Sequence, residues 1–116
     1  MANSYKNAKL NLTNTNVTTL YTAPTGNTSI IKSIIVNERT NSASTLSVIL
    51  FDKDPAASGN PFNLYTTKPI TALQTLELLD KPLVMKSGEV IQVTAGHANR
   101  CVITASLLEI FDEKSA

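Results

Sequence analysis

The only histidine and the only cysteine of the chain, His97 and Cys101, lie four positions apart and are the first residues to consider for catalysis. A nucleophilic thiol needs a neighbouring base and an electropositive surrounding. No Asp or Asn stands out as a third member that would orient the imidazole, and one histidine cannot supply the several converging ligands of a metal site. We therefore interpret His97 as an exposed turn residue beside Gly96, and Cys101 as a small buried residue that begins the last strand.

Two carboxylates, Asp52 and Asp54, flank a lysine in a polar loop over residues 51–61. Their oxygens suit Ca²⁺, but the loop lacks the early glycine and the twelfth-position glutamate of an EF-hand, so a solvated loop is the favoured interpretation. The other carboxylates follow no spacing that indicates a glycosidase pair, and no glycine-rich stretch could cradle a phosphate. The sequence thus predicts a non-enzymatic protein with no catalytic residue, no metal and no cofactor.

The composition indicates strands as the elements that position the remaining side chains. Charged residues are only 16% of the chain, below the usual quarter, and Asn, Thr and Ser take their place. Thr favours strands and Asn suits turns. The net charge of +1 creates no field that attracts nucleic acid, and no apolar stretch approaches the roughly 20 residues of a membrane helix. We therefore expect neither nucleic acid nor membrane as a partner, and the first residues lack the apolar segment of an export signal.

Apolar and polar residues alternate along most of the chain, which is the pattern of strands with one buried face. An all-β protein with about eight short strands at regular spacing is typical of an antiparallel β-sandwich of jelly-roll type. Residues 1–116 are predicted to be one such domain, with flexible or arm-like tails at 1–4 and 112–116. The predicted strands lie at residues 5–12, 16–22, 28–38, 44–52, 62–67, 70–82, 82–85, 90–95 and 100–110.

Two parts of the chain, residues 70–82 and the connection within 82–95, allow more specific predictions. The stretch 70–82 fits a helical turn or a strand, and the prolines at its ends favour a strand. The segment 82–95 is predicted to be a hairpin, in which Gly88 adopts a positive φ within the turn at 86–89.

The longest predicted strand is apolar on both faces. Strict alternation places Ile30, Ile34 and Val36 on the inner face. It places Ile31 and Ile35 on the outer face, where either a sandwich layer or a neighbouring subunit could cover them. Similar surplus apolar residues occur on the next strand and at the end of the last one. The predicted subunit interface consists of Tyr5, Ile31, Ile35, Ile49, Phe51, Leu108, Ile110 and Phe111.

The order of these segments resembles a group of small structural proteins of tailed bacteriophages, particularly those of marine and cyanobacterial phages. The resemblance is carried by "TLYTAP" at residues 19–24, by the Ile-rich strand, and by the stretch from Pro82 to Val93. Glu89 stands where the phage pattern often has Asp. The resemblance spans nearly the whole chain, about Tyr5 to Ile110, and its motifs are structural and bring no catalytic residue.

The resemblance implies a virion protein that is assembled in the host cytoplasm. The expected role is a capsid decoration or cement subunit, which stabilises the shell through oligomeric surface contacts. Its expected partners are itself, as a homotrimer, and the major capsid protein or other virion proteins. A tail, neck or fibre-attachment component is the alternative. A carbohydrate-binding jelly-roll module is a further alternative, in which Tyr21, Phe62 and Tyr65 would form the sugar platform.

Overall fold

The computed structural model describes residues 3–111, which form nine β-strands and one short 3₁₀-helix at Pro55–Ala57. In these residues no helix is long and apolar enough to cross a membrane. The strands are β1 (Asn3–Leu12), β2 (Thr18–Thr22), β3 (Asn27–Glu38), β4 (Ser44–Phe51), β5 (Pro61–Ile70), β6 (Thr75–Glu77), β7 (Leu83–Met85), β8 (Val90–Ala95) and β9 (Cys101–Phe111).

The strands form two antiparallel sheets that pack face to face. The first sheet has the order β1-β9-β3-β6, with β7 also paired to β3, and the second has the order β2-β8-β4-β5. Every connection crosses from one sheet to the other, except the links β4–β5 and β6–β7. Because β6 and β7 pair with different parts of β3 and share one strand position, the sandwich has eight positions. The predicted all-β jelly-roll sandwich is therefore confirmed.

The predicted hairpin over 82–95 is wrong in its pairing, although its turn is confirmed. Gly88 has a φ of 85°, and its N–H donates to the carbonyl of Ala23 at 2.9 Å. However, β7 pairs with β3 in the first sheet and β8 pairs with β2 and β4 in the second. The turn thus carries the chain between sheets rather than back along the same one.

The predicted strand over 70–82 is correct in type but too long, because Ile70 ends β5 and only Thr75–Glu77 pairs beyond it, as β6. Residues 71–74 form a turn closed by side chain and backbone: the N–H of Thr71 donates to Oε1 of Gln74 at 3.0 Å, and the N–H of Gln74 donates to the carbonyl of Thr71 at 3.2 Å. After β6, the chain leaves the ladder at Leu78, whose side chain is buried in the core.

A β-bulge interrupts the central strand β3. Its register with β9 shifts between Ile31, which lies opposite Leu107, and Ser33, which lies opposite Ser106. Lys32 is the extra residue, so side chains on either side of it change face. Ile31 is consequently fully buried in the core, whereas Ile30 points outward and is half-buried. The predicted outward Ile31 and inward Ile30 are both corrected by this bulge.

The side chain of Glu77 on β6 holds this bulge in place. Its carboxylate accepts hydrogen bonds from the hydroxyl of Ser33 and from the N–H groups of Ile34 at 2.9 Å and Leu79 at 3.1 Å. Burial acts to raise the pKa of Glu77, but these donated hydrogen bonds outweigh it and lower the pKa below its usual value. The carboxylate thereby supplies an acceptor to the backbone N–H of Ile34, directly after the bulge.

The core lies between the two sheets and contains side chains from both. Along β9 the predicted inward phase, Cys101 with Ile103, Ala105 and Leu107, is confirmed by complete burial of all four. The predicted tail residues 3–4 belong instead to β1, and positions 1–2 and 112–116 lie outside the described residues. The largest fully buried side chains are Ile31, Ile34, Leu46, Ile70, Met85, Ile91, Ile103, Leu107, Glu38, Val36, Val48 and Val93.

The face assignments predict different costs for two isoleucines of β3. Ile31→Ala leaves a cavity in the core and should lower the free energy of unfolding by about 2–5 kcal/mol. Ile35→Ala, at a side chain that is 38% exposed, should lower it by less than about 1 kcal/mol. Urea denaturation of both variants measures the difference, and equal losses would contradict the placement of the bulge.

Candidate interaction surfaces

Four apolar side chains form a straight row across the outer face of the first sheet. The strand registers place Tyr5 opposite Leu108, Leu108 opposite Ile30, and Ile30 opposite Val84. The row therefore crosses β1, β9, β3 and β7 over about 14 Å, given a strand spacing near 4.8 Å. Tyr5 is 78% exposed and Val84 is 54% exposed. We call this set, Tyr5, Leu108, Ile30 and Val84, the outer apolar row.

Further apolar and charged side chains surround the outer apolar row. Ile110 is half-buried in the adjacent row of β9, and Phe111 at the end of that strand is 53% exposed. Ile35 lies on the same face but opposite Thr104, farther along the sheet. The ammonium of Lys32 lies 5.9 Å from the centroid of the Tyr5 ring, which is within the range of a cation–π contact.

The eight residues predicted as one interface do not form one surface. Ile49 and Phe51 lie on β4 of the second sheet, so they face away from the outer apolar row on the opposite side of the sandwich. Both are half-buried. Ile31 lies in the core and cannot meet another subunit. Tyr5, Ile35, Leu108 and Ile110 lie on the outer face of the first sheet, whereas Phe111 has the phase of the inward-facing Leu107 and Glu109.

Two members of the outer apolar row, Ile30 and Val84, were missed by the sequence analysis. Strict alternation through β3 places Lys32 on the inner face together with Ile30 and Ile34. A lysine without a partner does not remain in an apolar core, so the alternation has to break at that residue. This conflict between the alternation and the charge of Lys32 is the sequence signal from which the outward position of Ile30 could have been predicted.

A polar network closes one end of the sandwich and crosses between the two sheets. The hydroxyl of Tyr21 on β2 lies 2.5 Å from Oε2 of Glu109 and 2.7 Å from Oγ of Ser29. The other oxygen of Glu109 pairs with Nζ of Lys6 at 3.2 Å. Burial and the neighbouring carboxylate raise the pKa of Tyr21 well above its usual value near 10. These contacts join side chains of both sheets, so the network stabilises the fold.

The residues first considered for catalysis meet at the other end of the sandwich. His97 is exposed, as predicted, and its Nδ1 lies 3.4 Å from Oγ of Ser44. The Ser44 side chain also acts on the thiol of Cys101, where it favours a lower pKa. Cys101 is fully buried, and burial raises the pKa of its thiol above the usual value. A thiol in this state is not a nucleophile.

Glu38 is a buried carboxylate at the same end. Its Oε1 accepts hydrogen bonds at 2.6 Å from the N–H and from the hydroxyl of Thr40, while its Oε2 has no hydrogen-bond partner among the described residues. Glu38 lies opposite Cys101 in the β3–β9 ladder. Its bonds to Thr40 fix the turn that leads from β3 toward β4.

The carboxylates of the loop between β4 and β5 are used to close that loop. Asp52 accepts from the backbone and side-chain nitrogens of Asn60 at 2.8 and 3.1 Å, and these bonds lower its pKa. Asp54 caps the 3₁₀-helix by accepting from the N–H of Ala56 at 2.9 Å. In residues 3–111, no three His, Cys, Asp or Glu side chains converge as a metal site would require.

The three aromatic residues considered for sugar binding do not form a platform. The hydroxyl of Tyr65 donates to the carbonyl of Leu78 at 2.7 Å, and that of Tyr21 is held in the Glu109 network. Phe62 is 55% exposed at the start of β5 and is the one ring of the three that faces solvent widely. A single exposed ring supports sugar stacking less well than the outer apolar row supports a contact with another protein.

No protein-family model matches the sequence, and no curated protein is significantly similar to it. The fold, in contrast, is similar to solved structures of virus particles. One is a chain of the T13 particle of infectious bursal disease virus (IBDV), with a TM-score of 0.56 and 10% identity over 94% of this chain. Another is a mutant VP2 protein of the same virus in derived T=1 particles, with a TM-score of 0.52 and 8% identity over 95% of this chain. This chain spans about a third of their lengths, 31% and 32% respectively.

The Tyr21 network predicts a pH dependence of stability. An unfolded chain loses its phenol proton near pH 10, whereas folded Tyr21 keeps it to a higher pH. The free energy of unfolding should therefore fall as the pH rises above about 10, and Tyr21→Phe should reduce this fall. At neutral pH the same variant should lose about 1–3 kcal/mol, because Glu109 loses a donor in a buried place. Urea denaturation at pH values from 7 to 11 measures both effects.

The matched control for this measurement is Tyr5→Phe, which removes a hydroxyl from an exposed side chain on the outer face. In this variant the free energy of unfolding should fall above about pH 10 as steeply as in the unmodified chain. An alkaline fall that is equally steep in Tyr21→Phe would contradict the role assigned to the buried phenol.

The buried position of Cys101 predicts that the native chain is inert to thiol reagents. Ellman's reagent at pH 8 should react with one thiol per chain in denaturant and with none in the folded state within the same time. Thr104→Cys introduces an exposed thiol on the same strand and should react at once. Rapid reaction of the unmodified native chain would show that the thiol is accessible after all.

Proposed function

We propose that this chain is a non-enzymatic structural protein of a virus particle, which acts through surface contacts with neighbouring subunits. The observation that carries the proposal is the jelly-roll strand order together with an outer apolar row that no element of the described chain covers. A fold alone does not imply a function, so the surface is an essential part of the support.

Three described residues of catalytic type, Cys101, Glu77 and Glu109, are engaged in the fold. The thiol of Cys101 is sealed in the core, and Glu77 and Glu109 accept internal hydrogen bonds. What remains accessible is apolar area on a sheet face, which on a soluble domain indicates a contact with another protein. Proteins with similar folds form virus particles, and association through such surfaces is a task that needs no active site.

The finer assignment rests on the resemblance of the sequence to tailed-phage proteins. On that basis, we propose a capsid decoration or cement subunit that binds the major capsid protein as a homotrimer, after assembly in the host cytoplasm. Such a subunit stabilises the associated shell by its own binding free energy, and several linked contacts strengthen the attachment. A tail, neck or fibre-attachment component is the alternative within the same class.

Quantitative mass spectrometry of purified particles tests this proposal. Particles are banded on a density gradient from cells that produce the chain, and its copy number is compared with that of the major shell protein. A copy number comparable with the shell protein is expected for a decoration subunit, and a far smaller constant number indicates a neck, tail or fibre component. Absence of the chain from intact particles would overturn the virion assignment.

A second arm of this experiment addresses the outer apolar row. Val84→Asp places a charge at the exposed end of the row, while Thr45→Asp places one on the outer face of the second sheet as a control. If the row contacts neighbouring subunits, the first variant should be depleted from particles and the second retained.

A further inference from the structure

Strand β1 forms an edge of the first sheet that is unusually regular. Its ten residues pair with β9 in one continuous register, from Asn3 opposite Ile110 to Leu12 opposite Cys101. No other strand of the described chain pairs with its second side. A long, flat edge of this kind presents a row of backbone donors and acceptors, which is a template for pairing with another chain.

The other sheet edges of the described chain are interrupted in ways that prevent such pairing. Strand β2 has five residues and a register shift at Leu20. Strand β5 has two register shifts against β4 and contains Pro61 and Pro69, which lack a donor. Strands β6 and β7 have three residues each. Bulges, prolines and short length are the usual means of blunting an edge, and β1 has none of them.

Lysines are another common protection of an edge, but those of β1 are placed where they do not block it. Lys6 is drawn to Glu109, with Nζ 3.2 Å from Oε1, so its charge is compensated within its own chain. Lys9 lies on the outer face, opposite Thr104 in the register with β9. Of the two lysines of β1, only Lys9 therefore carries a charge that no described residue compensates, and a second strand could approach this edge.

We propose that two copies of this chain pair through β1, antiparallel about a twofold axis at Asn7. In an extended sheet, opposite residues share a face, so each symmetric register places one residue opposite its own copy. Registers centred on Lys6 or Lys9 would oppose like charges. The register centred on Asn7 instead places Lys9 opposite Tyr5 and Lys6 opposite Ala8. In this register the ammonium of Lys9 in each copy lies beside the Tyr5 ring of the other copy, so the twofold axis generates two such contacts.

This pairing is large enough for a specific contact. Residues 3–11 of the two copies overlap and would form about eight to ten backbone hydrogen bonds. Typical protein interfaces contain about ten direct hydrogen bonds, so the number is sufficient. The two first sheets would become one continuous sheet of eight strand positions, and the outer face with its apolar row would be doubled. The inference concerns the free chain in solution and does not rest on its presence in a virion, whereas the homotrimer proposed above is its arrangement on the shell.

Disulfide trapping tests the axis directly, since the native Cys101 is buried and does not compete. At the axis, the Cα atoms of the paired residues would be about 4.5–5.5 Å apart, within the range that a disulfide spans. Asn7→Cys should therefore give a covalent dimer under mild oxidation. Asn11→Cys, exposed on the same face, would lie about 27 Å from its counterpart and should stay monomeric on a non-reducing gel.

Light scattering of the unmodified chain over a concentration series accompanies the trapping. A concentration-dependent dimer, with selective trapping of Asn7→Cys, is the expected result. Equal trapping of both variants would indicate random collision and would overturn the proposal. A monomer or trimer in solution, with Asn7→Cys left uncrosslinked, would overturn it as well.

Discussion

The first sheet depends on keeping the charge of Lys32 out of the core. Lys32 lies in the middle of an apolar central strand, where strict alternation would bury it without a partner. Burying an unpaired ammonium is far more costly than disturbing one position of a ladder, so the strand bulges at this residue. Glu77 makes the bulge stable, because it accepts the Ser33 hydroxyl and the Ile34 N–H beside it. The core then receives Ile31 and Ile34 from opposite sides of the interruption.

The same bulge determines what the molecule shows on its outer face. It turns Ile30 outward, between Leu108 and Val84, and so completes an apolar row that four strands share. It also directs Lys32 outward, where its ammonium lies over the ring of Tyr5. Lys32 therefore affects both the core and the surface. The bulge at this residue changes which β3 side chains point inward, and so also changes which of them are exposed.

The sequence was informative where the pattern is local and uninterrupted. Alternation along β9 placed Cys101 in the core correctly, and the turn chemistry at Gly88 required the positive φ that the structure has. The pairing partners of β7 and β8 could not be predicted in this way. The local sequence of a turn is the same whether the turn joins two strands of one sheet or connects one sheet to the other. The interface prediction was wrong at Ile31 because strict alternation ignored Lys32, and because the carboxylate that stabilises the bulge, Glu77, lies 44 positions from Ser33 in the chain.

The two ends of the sandwich show how the fold uses two of its buried carboxylates. Each end contains a buried carboxylate, Glu109 at one and Glu38 at the other, and each accepts hydrogen bonds from its own chain. The donors that a buried carboxylate meets fix its geometry, although Oε2 of Glu38 has no partner among the described residues. Solvent also reaches the outer side of the edge strand β1 and the row of apolar side chains beside it. Both are features through which protein chains associate.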